Sequence, residues 1–166
     1  MVRAGKTCMS IFLKFGGVLG DVEDAGHVNW IDVKAVNWTL ARPVSNPGGS
    51  TAGRVLSAAQ VSELTIVKDQ DVATIPLIQA AFEGSPVAAQ IDFCSTGSGQ
   101  QNVYYSIAMT STLITGFGQA GSDGRPSENV TFNFTRISFS GTQMDPDGRA
   151  ASPASYGWDL NTNASA

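Results

Sequence analysis

The sequence is short of the residues that reactive sites and nucleic-acid-binding surfaces depend on. Only 14% of its 166 residues are charged, 42% are hydrophobic, and the net charge is −4. The ten Lys and Arg residues are scattered and form no basic stripe, so neither nucleic acid nor an anionic membrane surface is an expected partner. So small a charged fraction leaves little solvated surface per residue, which suits a protein whose surface meets other proteins.

Cysteines and long apolar runs are also scarce. Cys8 and Cys94 are not in a CxxC spacing, which excludes a zinc knuckle and a thioredoxin-like motif. We expect two reduced thiols, and the sequence leaves a single disulfide between them open. Lys14 interrupts the short apolar stretch near the N-terminus, so the sequence predicts neither a cleaved signal peptide nor a membrane span.

The dominant pattern is the alternation of apolar and polar residues that is typical of β-strands. It occurs in residues 11–15, 30–40, 61–68, 87–94, 103–113, 125–140 and around 158–160. In residues 103–113 the apolar positions fall on one face throughout. The pattern predicts one domain of mainly β class, a compact barrel or sandwich of about seven or eight strands with one short helix.

The helix is predicted at residues 74–84, where apolar residues recur with helical spacing. Pro76 suits the first turn, Gly84 suits the end, and Thr74 is available as a cap. The predicted apolar face consists of Leu77, Ile78, Ala81 and Phe82. We expect this helix to cover one side of the sheets. Segments rich in Gly, Pro and Ser at residues 45–53, 118–127 and 145–155 are predicted to be loops.

Candidate catalytic and metal-binding residues are few. His27 is the only histidine, so a hydrolase would have to use it as the general base. A histidine that hydrogen-bonds a turn is the favoured interpretation. The acidic clusters at residues 21–24 and 145–147 lack the spacing of a calcium loop, and residues 16–20 lack the phosphate-binding glycine pattern. We expect no catalytic residues, no metal and no cofactor.

The aromatic residues support a second hypothesis. A sugar-stacking surface can be built from such rings, although aromatic residues at strand spacing are more often core or interface. The candidates are Trp30, Trp38, Trp158, Tyr104 and Tyr105. A monomeric carbohydrate- or ligand-binding β-module is therefore an alternative function.

Four blocks of the sequence resemble the tube protein (Hcp) family of the type VI secretion system. Residues 26–43 carry its Gly-His…Trp-Ile…Trp…Arg-Pro pattern, and residues 61–84 its strand followed by a single helix. Residues 124–139 carry its Pro-x-Glu-x-Val pattern, and residues 156–163 its Gly-Trp-Asp-Leu ending. The signature residues, to which the resemblance gives structural roles, are His27, Trp30, Trp38, Pro43, Glu128, Phe134, Gly157, Trp158 and Asp159.

The resemblance implies a self-assembling structural subunit, not an enzyme, and no cofactor. Homohexameric rings would stack into a tube that a contracting sheath expels, with small effector proteins carried in the lumen. The expected partners are further copies of the chain, the effectors, and the sheath, spike and baseplate proteins of the machine. The protein would be made in the bacterial cytoplasm and secreted, or delivered into target cells, without a cleaved signal peptide.

The resemblance also suggests boundaries and a contact loop. The family pattern begins at Met9, so residues 1–8 are expected to be an extension before a single domain of residues 9–166. The family's protruding loop, which contacts the next ring, corresponds in position to Asn46, Pro47, Gly48, Gly49, Ser50, Thr51, Ala52 and Gly53.

Two strands change the phase of their alternation partway. The apolar positions change from even to odd between Phe134 and Ile137, and from odd to even between Ala35 and Val36. A ring subunit has a core and a neighbour to cover, so we expect a β-bulge at each point, turning the strand from one to the other. A strand that passes between two layers of one core is the alternative.

Overall fold

The computed structural model describes residues 8–46, 48, 53–97, 100–121, 123–142 and 152–166. These residues form one helix, α1 (Thr74–Glu83), and fourteen strands: β1 (Cys8–Phe15), β2 (Ile31–Val33), β3 (Ala35–Asn37), β4 (Leu40–Ala41), β5 (Val44–Ser45), β6 (Val55–Leu56), β7 (Gln60–Val61), β8 (Leu64–Asp69), β9 (Val87–Gly97), β10 (Gln100–Ala120), β11 (Ser127–Asn133), β12 (Arg136–Gly141), β13 (Ala154–Asp159) and β14 (Ala164–Ser165). Seven of these strands have six or more residues, and the mainly β fold with one short helix is confirmed.

The long strands form two antiparallel layers that share β10. The first sheet has the order β2-β1-β9-β10-β12-β13-β14, and the second has the order β10-β11-β8-β3. The first half of β10 pairs with β9 and β12, and the second half pairs with β11. Ser111, between the halves, has a left-handed φ of +50°. A bend of this kind lets one strand pass from one sheet of a sandwich to the other.

The hydrophobic core lies between the two sheets. Leu13 and Ile91 of the first sheet and Ile66 of the second are fully buried there. The rings of Phe15 and Phe132 join the layers, with their centroids 5.4 Å apart. Each fully buried side chain of this size contributes about 1.5–3 kcal/mol, so this layer packing is the main stabilising term.

At both predicted phase changes the chain passes from one sheet to the other. The prediction that a β-bulge turns each strand towards a neighbouring subunit is therefore wrong. Lys34 separates β2 in the first sheet from β3 in the second. Likewise, Phe134 and Thr135 separate β11 in the second sheet from β12 in the first. Phe134 and Ile137 both lie in the core, at 4% and 1% exposure. The buried face changes because the chain moves to the opposite layer of one core.

A third phase change, inside β10, was not predicted. Ile107 and Met109 point into the core, and beyond Ser111 the buried positions are Thr112 and Ile114. The register with β9 shifts between Met109 and Thr112. Residues 103–113 therefore do not keep one buried face, as the sequence pattern suggested.

Helix α1 ends as predicted but begins differently. Gly84 ends it with a left-handed φ of +65°, which glycine adopts without steric cost. The cap residue is Ala73, not Thr74, and Asp71 Oδ1 accepts a hydrogen bond from the Ala73 N–H at 2.9 Å. No helix in the described part of the chain is long and apolar enough to cross a membrane.

The buried face of α1 also differs from the prediction. Thr74 and Leu77 are buried, with Ala80 and Ala81 partly buried against the core. Phe82, predicted on the buried face, is 88% exposed. The helix thus buries a narrow face made mostly of small residues.

At the N-terminus, β1 begins at Cys8, which pairs with Thr96 of β9. The predicted extension was residues 1–8, so its last residue belongs to the sheet. Residues 1–7 lie outside the described residues.

Candidate functional site

Residues 40–46 and 53–61 pair with each other outside the two main sheets, and together we call them the arm. It consists of two short ladders, β4 with β7 and β5 with β6. The predicted contact loop lies in the sequence between β5 and β6. Of that loop Asn46, Gly48 and Gly53 are described, and Pro47, Gly49, Ser50, Thr51 and Ala52 lie outside the described residues.

The arm is held by backbone and polar side-chain hydrogen bonds. The Arg42 Nε–H donates to the Ser57 carbonyl at 2.7 Å, and the Ser57 N–H donates to the Pro43 carbonyl at 2.9 Å. At its base the Thr39 N–H donates to Ser62 Oγ at 2.8 Å. The signature residue Pro43 thus lies within the arm and supplies an acceptor rather than a donor, as proline must.

The arm exposes apolar side chains. Leu40, Val44, Val55 and Leu56 are each 54–60% exposed. Solvated hairpins usually carry polar residues at such positions, and grouped exposed apolar side chains indicate a surface that contacts another protein. The arm is therefore the first element of the candidate site.

An apolar groove of about 230 Å³ lies where the arm meets the first sheet. Leu40 and Val61 line it from the arm, and Phe139 and Trp158 line it from the sheet. Trp38 stacks on Phe139, with ring centroids 4.9 Å apart and planes 23° apart. Two of the signature tryptophans thus form the joint between the arm and the body.

The aromatic surface continues along the inner face of the first sheet. Tyr105 lies almost parallel to Phe139 at 6.5 Å, and Tyr156 stacks beside Trp158 at 6.4 Å. The rings of Tyr105, Phe139 and Tyr156 border a larger groove of about 700 Å³. Burial raises the pKa of Tyr105.

Two further signature residues, Gly157 and Asp159, organise the C-terminal strands. A Cβ at Gly157 would lie 2.7 Å from the backbone oxygen of Ala166, so only glycine lets the backbone at Ala166 pack there. Asp159 Oδ1 accepts from the N–H groups of Thr162 and Asn161, and Oδ2 accepts from Arg136. The bond from Thr162, followed by the bond from Arg136, lowers the pKa of Asp159.

Glu128 and Phe134 are buried structural residues. Glu128 is fully buried and forms an ion pair with fully buried Lys68, with 2.8 Å between Oε2 and Nζ. Phe134 lies in the core, where the chain passes between the sheets. Neither side chain faces a surface that a partner could reach.

His27 and Trp30 lie on the outer face of the first sheet, away from the aromatic groove. The His27 ring is 6% exposed, and its two nitrogens each lie 2.9 Å from a carboxylate oxygen, of Asp24 and Asp92. Trp30 meets this ring edge-on at 4.7 Å. His27 has no free nitrogen to act as a general base, and the aromatic candidates for sugar binding do not form one platform.

A second, acidic groove lies beside Asp24. It is lined by Asp21, Asp24, Asp32, Asp69 and Asp71, with Arg125. Within the described residues, no group of three or more His, Cys, Asp or Glu side chains is arranged to hold a metal ion. Asp145 and Asp147, the other acidic cluster in the sequence, lie outside those residues.

Replacing Asp32 with Asn should raise the melting temperature slightly at neutral pH. Partial desolvation, and then the neighbouring charge of Asp71, raise the pKa of Asp32 above its ordinary value, but Asp32 is exposed and solvent screens these effects. Ionisation of Asp32 therefore costs stability as the pH rises through its unfolded-state pKa towards its folded-state pKa. The gain should be present at pH 7 and disappear in acid, below the ordinary aspartate range. Melting curves of both proteins at several pH values test this, and an equal gain in acid would contradict it.

Sequence and structural comparisons agree on one family. A family model described as "Type VI secretion system effector, Hcp" matches residues 12–140. Protein Hcp1 of Pseudomonas aeruginosa is 30% identical over 162 residues, which cover 95% of this chain and 99% of that protein.

Solved structures show the same fold. One described as "Structure of a type six secretion system protein" superposes with a TM-score of 0.86 at 23% identity, covering 96% of this chain and 100% of the other. Hcp1 from Salmonella typhimurium superposes with a TM-score of 0.76 at 20% identity, covering 95% and 99%. The chain therefore belongs to the Hcp family, the tube proteins of the type VI secretion system.

Proposed function

We propose that the protein forms homohexameric rings that stack into the inner tube of a type VI secretion machine. Contraction of the surrounding sheath would expel the tube, with small effector proteins held in its lumen. The subunit would act as a structural component and carrier rather than as an enzyme. Family membership supports this proposal, and the observation that carries it is the apolar arm beside an aromatic groove.

The exposed side chains of the arm and the larger aromatic groove are different surfaces of one subunit, because no arm residue lines that groove. This arrangement favours head-to-tail assembly. A contact between unlike surfaces of neighbouring copies closes into a ring when the rotation permits, and otherwise extends as a filament. A tube needs a contact that closes the ring and a second contact that joins one ring to the next. The exposed side chains Val44, Val55 and Leu56 would be covered by such contacts.

We also propose which proteins the tube contacts and how the subunit leaves the cell. The sheath would surround the tube, and the spike and baseplate proteins would meet its ends. The chain would fold in the bacterial cytoplasm and leave with the tube, extracellularly or into a target cell. The low charged fraction, 14%, fits a surface covered largely by other copies.

The solution mass tests the ring directly. Size-exclusion chromatography with light scattering should give a mass near six times the 17.3 kDa of one chain. Negative-stain images of the same peak should show rings with an open centre. A monomer that persists at high concentration would contradict the proposal.

Deleting residues 47–52 should leave rings intact and impair tubes. The shortened connection between β5 and β6 would lose the proposed contacts to the next ring, whereas the ladders β4–β7 and β5–β6 would remain. Electron microscopy under crowding conditions measures tube length, and light scattering measures ring mass. A variant with the same six positions replaced by Gly and Ser serves as the length control. Long tubes from the deletion variant would show that this loop does not join rings.

A further inference from the structure

Helix α1 is apolar on the side turned away from the core as well as on its buried side. Val72, just before the helix, and Ile75 and Phe82 within it are 60%, 71% and 88% exposed. The helix contains a single charged residue, Glu83, which is its last. A surface helix normally carries polar and charged residues on its outer side, and a helix that is apolar all round is normally covered. The outer side of α1 is therefore a surface that another element should cover.

Negative charge lies at both ends of this apolar side. At the N-terminal end, Asp71 Oδ1 accepts from the Ala73 N–H, and Asp71 also lines the acidic groove. Two of the five aspartates of that groove are paired with lysines of the same subunit, which leaves three aspartates and Arg125. At the C-terminal end, Glu83 is exposed and accepts a hydrogen bond from Gln79 Nε2 at 2.6 Å. An element that covers α1 should therefore combine apolar side chains with positive charge.

The arm has this complementary composition. The charged residues of the arm are Arg42 and Arg54, both basic and both exposed. Val44 and Leu56 are directly opposite each other in the β5–β6 ladder, so their side chains lie on the same face. These two side chains are 54% and 57% exposed. The arm thus joins an apolar surface to positive charge, whereas α1 joins an apolar surface to negative charge.

The two surfaces also match in length. Ile75 and Phe82 are separated by about 10 Å along a helix that rises 1.5 Å per residue. Leu40 and Val44 are separated by about 13 Å along an extended chain. The arm does not cover α1 of its own subunit, because Ile75 and Phe82 are exposed with the arm in place. A contact between the arm and α1 therefore needs a second copy of the chain.

We propose that the arm of one copy docks on the outer side of α1 of the neighbouring copy and thereby closes the ring. The apolar side chains of the arm cover Ile75 and Phe82, and Arg42 and Arg54 lie towards the carboxylates at the ends of the helix. Each copy uses its arm on one side and its helix on the other, as a head-to-tail ring requires. The inference rests on the proposed function, because it names the two surfaces that join copies within a ring.

Disulfide cross-linking tests the contact directly, in a background that carries Cys8→Ser. Cys94 is buried, so it should not compete for the new thiols. Leu56→Cys on the arm, combined with Ile75→Cys or with Phe82→Cys on α1, should form disulfides between copies under mild oxidation. A denaturing gel without reductant should then show a ladder that ends at six chains, from dilute rings as well as from tubes.

A matched control shows whether such cross-links are specific. Leu19, between β1 and β2, is 61% exposed and lies outside both surfaces. Leu56→Cys combined with Leu19→Cys should therefore give no ladder under the same conditions. A ladder of equal yield from the control pair, or a ladder that appears only in tubes, would overturn the assignment of this contact to ring closure.

The sign of the charge provides an independent test. Glu83→Arg should raise by about tenfold the protein concentration at which half of the rings dissociate, because it places like charges in contact. Glu63→Arg makes the same change in net charge just beyond the arm, where it adds to the positive side, so it should not weaken the ring. Both side chains are exposed, so neither change should disturb the fold. Mass photometry of diluted rings measures both effects.

The contact and the proposed function fail in different ways. Wild-type rings without a ladder from either cysteine pair on α1 would overturn the arm–α1 contact and leave the tube proposal standing. Equal weakening by Glu83→Arg and Glu63→Arg would likewise show that net charge, and not this contact, governs the ring. A wild-type protein that stays monomeric at high concentration would overturn both proposals.

Discussion

Replacing Glu128 with Ala is expected to destabilise the subunit by about 3–5 kcal/mol, because the change leaves a buried cation without its main partner. Lys68 and Glu128 are both fully buried, and Lys68 Nζ also contacts Asp71 Oδ1 at 2.8 Å. On the other side, Glu128 Oε1 accepts from Thr74 Oγ1 at 2.9 Å and Gln119 Nε2 at 3.0 Å. One carboxylate thus joins β8, β10, β11 and the start of α1.

A matched double variant separates two energies: the cost of leaving Lys68 buried without Glu128, and the net contribution of the ion pair to stability. Lys68→Met with Glu128→Leu removes both charges and keeps most of the volume, and replacements of this kind are often neutral or stabilising. We therefore expect the double variant to be far more stable than Glu128→Ala. Urea unfolding of all three proteins measures the difference. A loss below about 1 kcal/mol for Glu128→Ala, as for a surface pair, would contradict the prediction.

Replacing Gly20 with Ala should cost about 2–4 kcal/mol, through overpacking and a lost hydrogen bond. A Cβ at Gly20 would overlap the Trp30 carbonyl oxygen and would lie 2.7 Å from the Ile31 Cα. These are backbone atoms at the start of β2, so no side-chain rotation relieves the overlap. The bond from the Val22 N–H to the same Trp30 oxygen, 3.1 Å long, would be displaced.

Gly17 offers the control for this prediction. It lies in the same segment, and a Cβ there meets no heavy atom within 4 Å. Gly17→Ala should therefore stay within about 0.5 kcal/mol of the wild type. Urea unfolding of both variants provides the comparison, and similar losses would show that the overlap at Gly20 is relieved by a small backbone shift.

The elements with one regular period were predictable from the sequence. The first strand, the strand of residues 87–94 and helix α1 could be located because their apolar residues repeat every two or three to four residues, a pattern that depends only on local sequence. The helix nevertheless buries a narrower face than its apolar positions predict, since Phe82 is 88% exposed. The passages at Lys34 and Phe134 are visible in the sequence as phase changes, but the sequence does not show what causes the change of buried face. Whether a strand turns to a neighbouring subunit or to a second layer depends on distant parts of the chain.

The buried charges and the bend in β10 could not be predicted locally. Around Ser111 both faces carry Ser and Thr residues, so the change of buried face leaves no apolar signal. Lys68 and Glu128 are 60 positions apart, and His27 and Asp92 are 65 apart. Glu128 was singled out only through the family signature, and His27 through that signature and as the only histidine in the sequence. Neither observation indicates which residue each one pairs with.

The passages between the sheets have a mechanical consequence. The backbone crosses from one layer to the other at Lys34, at Ser111 and at Phe134–Thr135, so the layers are joined covalently as well as by packing. Sliding one sheet over the other would have to deform three stretches of main chain. A subunit pushed along a tube axis would thus transmit the load through its backbone, as a rigid body, without relying on side-chain packing alone.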